Sequence, residues 1–192
     1  MERPSLAGLP RAEVPEGYCL RHFRPGDEEG WNRLMDAAFE RAAGTTDFAE
    51  SMAADPVYRA ERVKLVVSAG GEIAATASAW THPPMGSRRG MLHWVGTDPG
   101  HAGKKLGTAV SIAAMEHSRE EGRIAMALLT DDFRIAAQKT YLRLGFEPRC
   151  THKSHPERWR RILAGLCWPE NFEQILQGPL VRLDDEGQAG EG

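Results

Sequence analysis

The spacing of apolar positions changes several times along the chain, and each change marks an element. Tyr18–Phe23 alternates and predicts a short strand, closed by the turn signal Arg24-Pro25-Gly26-Asp27. Asp27 is placed to cap a helix, because Trp31, Leu34, Met35, Ala38 and Phe39 then recur at three- and four-residue spacing until Gly44. A second short helix is expected over Phe48–Ala54, stopped by Asp55-Pro56. Val63–Ala69 and Glu72–Trp80 read as strands joined by Gly70-Gly71, a hairpin signal.

After a turn-rich patch over 82–90, Met91–Thr97 reads as a strand, with Met91, His93, Val95 and Thr97 expected on one face. The stretch Asp98–Gly107 is rich in glycine and lysine. A helix from about Lys104 to Glu121 follows, with Leu106, Val110, Ala113 and His117 along one side, and then a strand over Ile124–Leu129. Strand, helix and strand at this spacing predict a parallel pair joined by a right-handed crossover. Asp131 or Asp132 is expected to cap a further helix whose face carries Phe133, Ala136, Ala137, Tyr141 and Leu144, closed by Gly145. Pro156–Leu166 looks helical and 169–183 is ambiguous. Residues 1–16, with three prolines and no periodicity, are expected to form a loose arm, and 184–192 a disordered tail.

Composition narrows the function classes without choosing one. The 192 residues suit one domain, and 24 basic against 27 acidic side chains leave a formal charge of −3, with no broad attraction for nucleic acid. No apolar run reaches the roughly 18 residues needed to span a bilayer. The first residues lack the apolar core of a signal peptide, and the three cysteines Cys19, Cys150 and Cys167 lie far apart, so a cytoplasmic location is expected.

Chemistry concentrates at the strand-to-helix turn. Free N–H groups and the positive end of the dipole favour an anion at a helix N-terminus. Gly103 and Gly107 would let main chain approach a phosphate, and Lys104 and Lys105 add charge; a tight turn bearing solvated lysines is the plainer alternative. Neither G-x-x-x-x-G-K-[ST] nor G-x-G-x-x-G fits this stretch.

Two segments carry a resemblance. Pro99-Gly100-His101-Ala102-Gly103-Lys104-Lys105-Leu106-Gly107 resembles the P-x-x-R-G-x-G-[IL]-G loop of the GNAT acetyltransferases. The helix running from Arg134 through Ala137 and Tyr141 to Gly145-Phe146 resembles their N-x-x-A-x-x-x-Y-x-x-x-G-F segment. Ala102 stands where the family has Arg or Gln, Lys105 where it has Gly, and Arg134 where it has Asn. Order and spacing match over about 91–148.

The resemblance implies an α/β domain over 17–150 with a twisted mixed sheet, splayed between the fourth and fifth predicted strands and flanked by helices. Residues 151–183 would form a helical extension. It implies N-acyl transfer from acetyl-CoA to an amine, borne by a small molecule or a peptide, by direct attack and without a metal. Val95, Gly96, Thr97, Ala102, Gly103, Lys104, Lys105, Leu106, Gly107, Thr108 and Arg134 would hold coenzyme A, with Gly96 permitting the bulge that splays the strand. Tyr141 occupies the place of the family's tyrosine general acid, against a plain core aromatic. His93 aligns with a strand histidine of the arylalkylamine branch and is the candidate general base, against a structural histidine; Glu72 is a weaker candidate.

Two alternatives come from other classes: an acyl-CoA sensor or interaction module on the same fold, and a nucleotide-binding protein sharing only the strand–loop–helix arrangement. Cys150, His152 and His155 have metal-like spacing but no second cluster. Arg158-Trp159-Arg160-Arg161 reads as a solvated helix face around one buried aromatic. The apolar content of 156–183 suggests a homodimer contact.

Overall fold

The computed structural model describes residues 1–82 and 86–182; part of the 82–90 patch and the tail at 184–192 lie outside the described residues. Its strands are β1 (Glu2–Arg3), β2 (Tyr18–His22), β3 (Val63–Ser68), β4 (Ile73–Trp80), β5 (Arg89–Thr97) and β6 (Ala125–Ala127). The α-helices are α1 (Glu28–Ala38), α2 (Leu106–Glu120), α3 (Ile135–Arg143), α4 (His155–Gly165) and α5 (Glu173–Gln177). Single turns of π-helix at Ala49–Ala53 and of 3₁₀-helix at Ala60–Arg62 and Pro99–His101 complete the order.

The six strands form one mixed sheet in the order β1-β6-β5-β4-β3-β2. Neighbours pair antiparallel except β5 with β6, which run parallel across the α2 crossover. β4 is buried along its whole length, and its alanines (Ala74, Ala75, Ala77 and Ala79) let elements approach both faces closely. One core packs α2 and α3 on the sheet through Leu106, Val110, Met115, Tyr141 and Phe146. The other packs α1 through Trp31, Leu34 and Met35 against Val63, Leu65, Trp80 and Met91.

Several sequence expectations change here. Residues 1–6 are not a loose arm: β1 pairs antiparallel with β6, the Met1 nitrogen donates to Leu128 O at 3.0 Å, and Leu6 is fully buried. The apolar Met1 and Leu6 drive this, a signal too sparse for any periodicity. Asp27 sits at the α1 N-cap but makes no capping bond; its carboxylate grips Arg21 at 2.6 and 2.8 Å and accepts from Arg24 N. Neither Asp131 nor Asp132 caps α3, which begins after Arg134; Asp132 instead takes both guanidinium donors of Arg158.

The apolar residues of 156–183 are spent within the chain. Trp159, Ile162, Phe172 and Leu176 join the main core, and the argument from them for a dimer contact loses its basis. Cys150 lies in that core too, where burial pushes its thiol up, and no three His, Cys, Asp or Glu side chains converge on a metal-sized site among the described residues. No described helix is long and apolar enough to cross a membrane.

Candidate active site

β5 and β6 pair only over Arg89–Met91 with Ala125–Ala127; beyond these residues the two strands part. A cavity of about 570 Å³ occupies the mouth of that splay. Its walls are the end of α1 (Ala38, Phe39, Glu40), the end of β5 (Val95, Gly96, Thr97), residues 101–108, and α3 from Phe133 to Tyr141. The cavity thus gathers every residue singled out for coenzyme A, together with Tyr141.

The loop has a built conformation. Asp98 Oδ1 accepts from Gly100 N at 2.7 Å and Ala102 N donates to Pro99 O, which fixes a 3₁₀ turn before the helix. Gly103 then takes φ 79° and Lys105, the N-cap of α2, takes φ 58°. Position 105 therefore requires the left-handed region that its family glycine would reach without strain. The main-chain N–H groups of residues 103–108 find no acceptor among the described residues, so several donors point outward at the positive end of a fifteen-residue helix. Gly107 is required by close approach: a Cβ there would meet Thr97 Oγ1 at 2.8 Å. The start of α2 and the end of β5 touch at this point.

The two lysines differ in use. Lys104 Nζ donates to Tyr18 Oη at 2.6 Å, and that hydroxyl lies 2.8 Å from His101 Nδ1. Glu72 stands 3.4 Å from the far side of the His101 ring and lines neither catalytic cavity, which removes it as a base candidate. Lys105 is exposed at the cavity rim. Arg134 spans the mouth from the other wall, its guanidinium 4.0 Å from the centre of the Phe39 ring and 3.4 Å from Asp131 Oδ2.

The bulge lies upstream of its expected place. Thr76 pairs with Gly96 and Ser78 with His93, so Ala77 faces both Trp94 and Val95. Trp94 takes φ 48°, the conformation that absorbs the extra residue. Gly96 has a different reason: a Cβ would sit 3.1 Å from Ala38 Cβ and 3.3 Å from Met35 Sδ on α1. The bulge also breaks the alternation of β5. Met91 and Trp94 pack with the α1 core, whereas Leu92 and Val95 pack with the α2 core. His93 contacts Trp80 and Trp94, so it does not share a face with Val95 and Thr97.

Tyr141 is 6% exposed and lines two cavities, the one above and a neighbour of about 270 Å³. Its hydroxyl has no hydrogen-bond partner among the described residues, contrary to what a core aromatic would show. Burial pushes its pKa up to about 12, against a smaller opposing pull from Arg134. The second cavity holds His93, Trp94, Arg41, Thr130 and Asp131, and shares Phe39, Val95, Arg134, Ala137 and Tyr141 with the first. Burial lowers the pKa of His93, partly offset by Asp55.

Sequence reasoning did not single out Phe39, Glu40, Arg41 or Trp94 as site residues. Phe39 was visible only as an apolar position at the end of α1, and nothing local marks Trp94, because a bulge is a property of two paired strands.

Comparison with known proteins agrees with this geometry. Residues 23–146 match the family model described as Acetyltransferase (GNAT) family. A mycothiol acetyltransferase from Paenarthrobacter aurescens is 34% identical over 149 residues, covering 74% of this chain and 46% of the relative. One from Pseudarthrobacter chlorophenolicus is 36% identical over 148 residues, covering 73% and 46%. The chain therefore spans about half the length of these curated relatives. The crystal structure of a GCN5-related N-acetyltransferase from Sphaerobacter thermophilus superposes with a TM-score of 0.56 at 25% identity, covering 76% of this chain and 46% of that one. The chain belongs to the GNAT acetyltransferase family.

Proposed function

We propose that this protein transfers an acetyl group from acetyl-CoA to the amine of a small molecule by direct attack. One observation carries the reading: a single cavity joins the free N–H groups of residues 103–108 to the unpartnered hydroxyl of Tyr141. Its volume lies in the range of ligand pockets, and its donor-rich end suits a diphosphate. The residues present fit an acyl-CoA, which would supply an activated thioester.

In this proposal the cradle at 103–108 and the rim charges Lys105 and Arg134 fix the phosphates. Main-chain N–H groups of the bulged segment, Val95 to Thr97, polarise the thioester carbonyl. Tyr141 keeps its proton at neutral pH because its pKa is about 12. Full transfer of that proton to a thiolate of ordinary pKa near 8.5 would be uphill by roughly 5 kcal/mol. Tyr141 therefore stabilises the departing sulfur chiefly by donating a hydrogen bond, and Arg134, which opposes the rise in its pKa, strengthens that donor.

The second cavity takes the acceptor. An ammonium has no lone pair, so a base must remove its proton before attack. His93 is neutral at pH 7 because burial lowers its pKa, and it faces the cavity shared with Tyr141. A volume of about 270 Å³ and the naming of the relatives as mycothiol acetyltransferases both support a small-molecule acceptor.

The test is thiol release from acetyl-CoA against a panel of small primary amines, with the amide product identified by mass. Amine-dependent release that Tyr141→Phe abolishes supports the reading. Binding of acetyl-CoA without release by any amine would favour the sensor alternative.

A further inference from the structure

A second nucleophile–base arrangement lies on the same sheet, remote from the cleft. Lys64 on β3 points under the C-terminal half of α2, where its Nζ lies 3.3 Å from His117 Nδ1. The other ring nitrogen of His117 lies 3.4 Å from Glu121 Oε1. Glu121 is itself fixed by Arg62 Nε at 2.7 Å. An amine, an imidazole and an orienting carboxylate therefore stand in series, the arrangement by which a base is held to activate a nucleophile. Glu121 places the imidazole proton on Nε2, which leaves Nδ1 as the acceptor facing the lysine. His117 sits eleven residues after Leu106, about 16 Å along the helix from the donor loop at 1.5 Å per residue.

We propose that Lys64 is a self-acylation site, at which the Lys64–His117–Glu121 series accepts an acyl group from a small acyl thioester without help from the cleft. In the step, the neutral Lys64 Nζ attacks the thioester carbonyl carbon. The C–N bond forms and the C–S bond breaks, the ammonium proton passes to His117 Nδ1, and the thiol departs with a proton from solvent. The product is an uncharged Nε-acyl-lysine that no longer competes with His117 for a proton.

The surroundings are consistent with a lysine that loses its charge readily. Lys64 is half-buried, and burial lowers its pKa more than Glu120, Glu61, Glu116 and Glu121 together raise it. His117 is lowered as well, first by burial and then by Lys64, so neither cation is favoured beside the other. Glu61 and Arg62 face the pair from the turn before β3, and Glu116, Glu120 and Glu121 from α2; His22 on β2 and Ala77 on β4 are its register partners. Glu120 stands 3.9 Å from His117 Nδ1 and is 68% exposed, so the group opens toward solvent.

The experiment incubates the purified protein with acetyl-CoA, and separately with S-acetyl-N-acetylcysteamine, which lacks the phosphates. Acetylation of Lys64 is followed by peptide mass spectrometry against the exposed Lys139 and Lys153. Lys64 is expected to label at least about tenfold faster than either with both donors. His117→Gln is expected to remove that advantage, and Tyr141→Phe to leave it intact. The rate at Lys64 should also level off at lower pH than at the two exposed lysines. Labelling of Lys64 no faster than Lys139 and Lys153 overturns the proposal and needs no variant. Loss of the labelling in Tyr141→Phe, or labelling by acetyl-CoA alone, would assign it to the cleft and overturn the proposal equally.

Discussion

Lys105 occupies a position whose backbone and whose charge pull in opposite directions, and replacing it separates the two. Its φ of 58° lies in the left-handed region, which costs an ordinary L-residue roughly 1–2 kcal/mol. Lys105→Gly removes that strain but restores freedom to the unfolded chain, which offsets about 0.4–1 kcal/mol. The net expectation is a gain of roughly 0.5–1 kcal/mol, or a rise in Tm of about 1–4 °C for a chain of this size. The ammonium is exposed at the rim of the donor cavity. At about 4 Å from a phosphate through water it contributes on the order of 1 kcal/mol, so losing it should weaken acetyl-CoA about fivefold. Lys105→Gln keeps the backbone strain and discards the charge, so it should weaken binding equally with no rise in Tm. Thermal unfolding and titration calorimetry at low salt read the two effects. A fall in Tm for Lys105→Gly, or unchanged affinity for Lys105→Gln, would refute the reasoning.

Other consequences follow from the same geometry. Tyr141→Phe should lower kcat by about 10²-fold or more while the unfolding midpoint stays near that of the parent, because only the unpartnered hydroxyl is lost. His93 must be neutral to act and its pKa is depressed, so kcat/KM should rise with pH and level off below the ordinary value near 6.5; His93→Ala should erase that acid limb. Gly107→Ala drives a methyl against Thr97 Oγ1 and should cost about 1–3 kcal/mol by denaturant unfolding, with much of the loss recovered in the Gly107→Ala, Thr97→Ala double variant. Deleting residues 1–6 removes two buried apolar side chains, Met1 and Leu6, at about 1.5–3 kcal/mol each, and should strongly destabilise the sheet edge.

What the chain reveals in one dimension depends on the range of the forces involved. α2 and α3 were legible because their faces repeat at the helical period, and the donor loop because glycine and lysine cluster between a strand and a helix. Lys105 was legible as a strained position because its neighbours set the register of the motif. The bulge was misplaced to Gly96 because it is created where Ala77 opposes two residues, a fact about pairing that β5 alone does not carry. β1 was invisible because two residues cannot display a period, yet pairing with β6 and the burial of Leu6 fix them. The caps at Asp27 and Asp132 failed for one shared reason: each carboxylate found an arginine, Arg21 or Arg158, and a charge-assisted pair outcompetes a capping N–H.

The central claim is that the cleft between β5 and β6 is a donor site built for an acyl-CoA. Thermal unfolding with acetyl-CoA at about 100 times its dissociation constant, with ATP and NAD as controls, tests it most directly. Binding should add about 2.7 kcal/mol, which corresponds to a rise of roughly 5–10 °C, and the two controls should give far less. A Tm unmoved by acetyl-CoA, coenzyme A and longer acyl thioesters alike would contradict it.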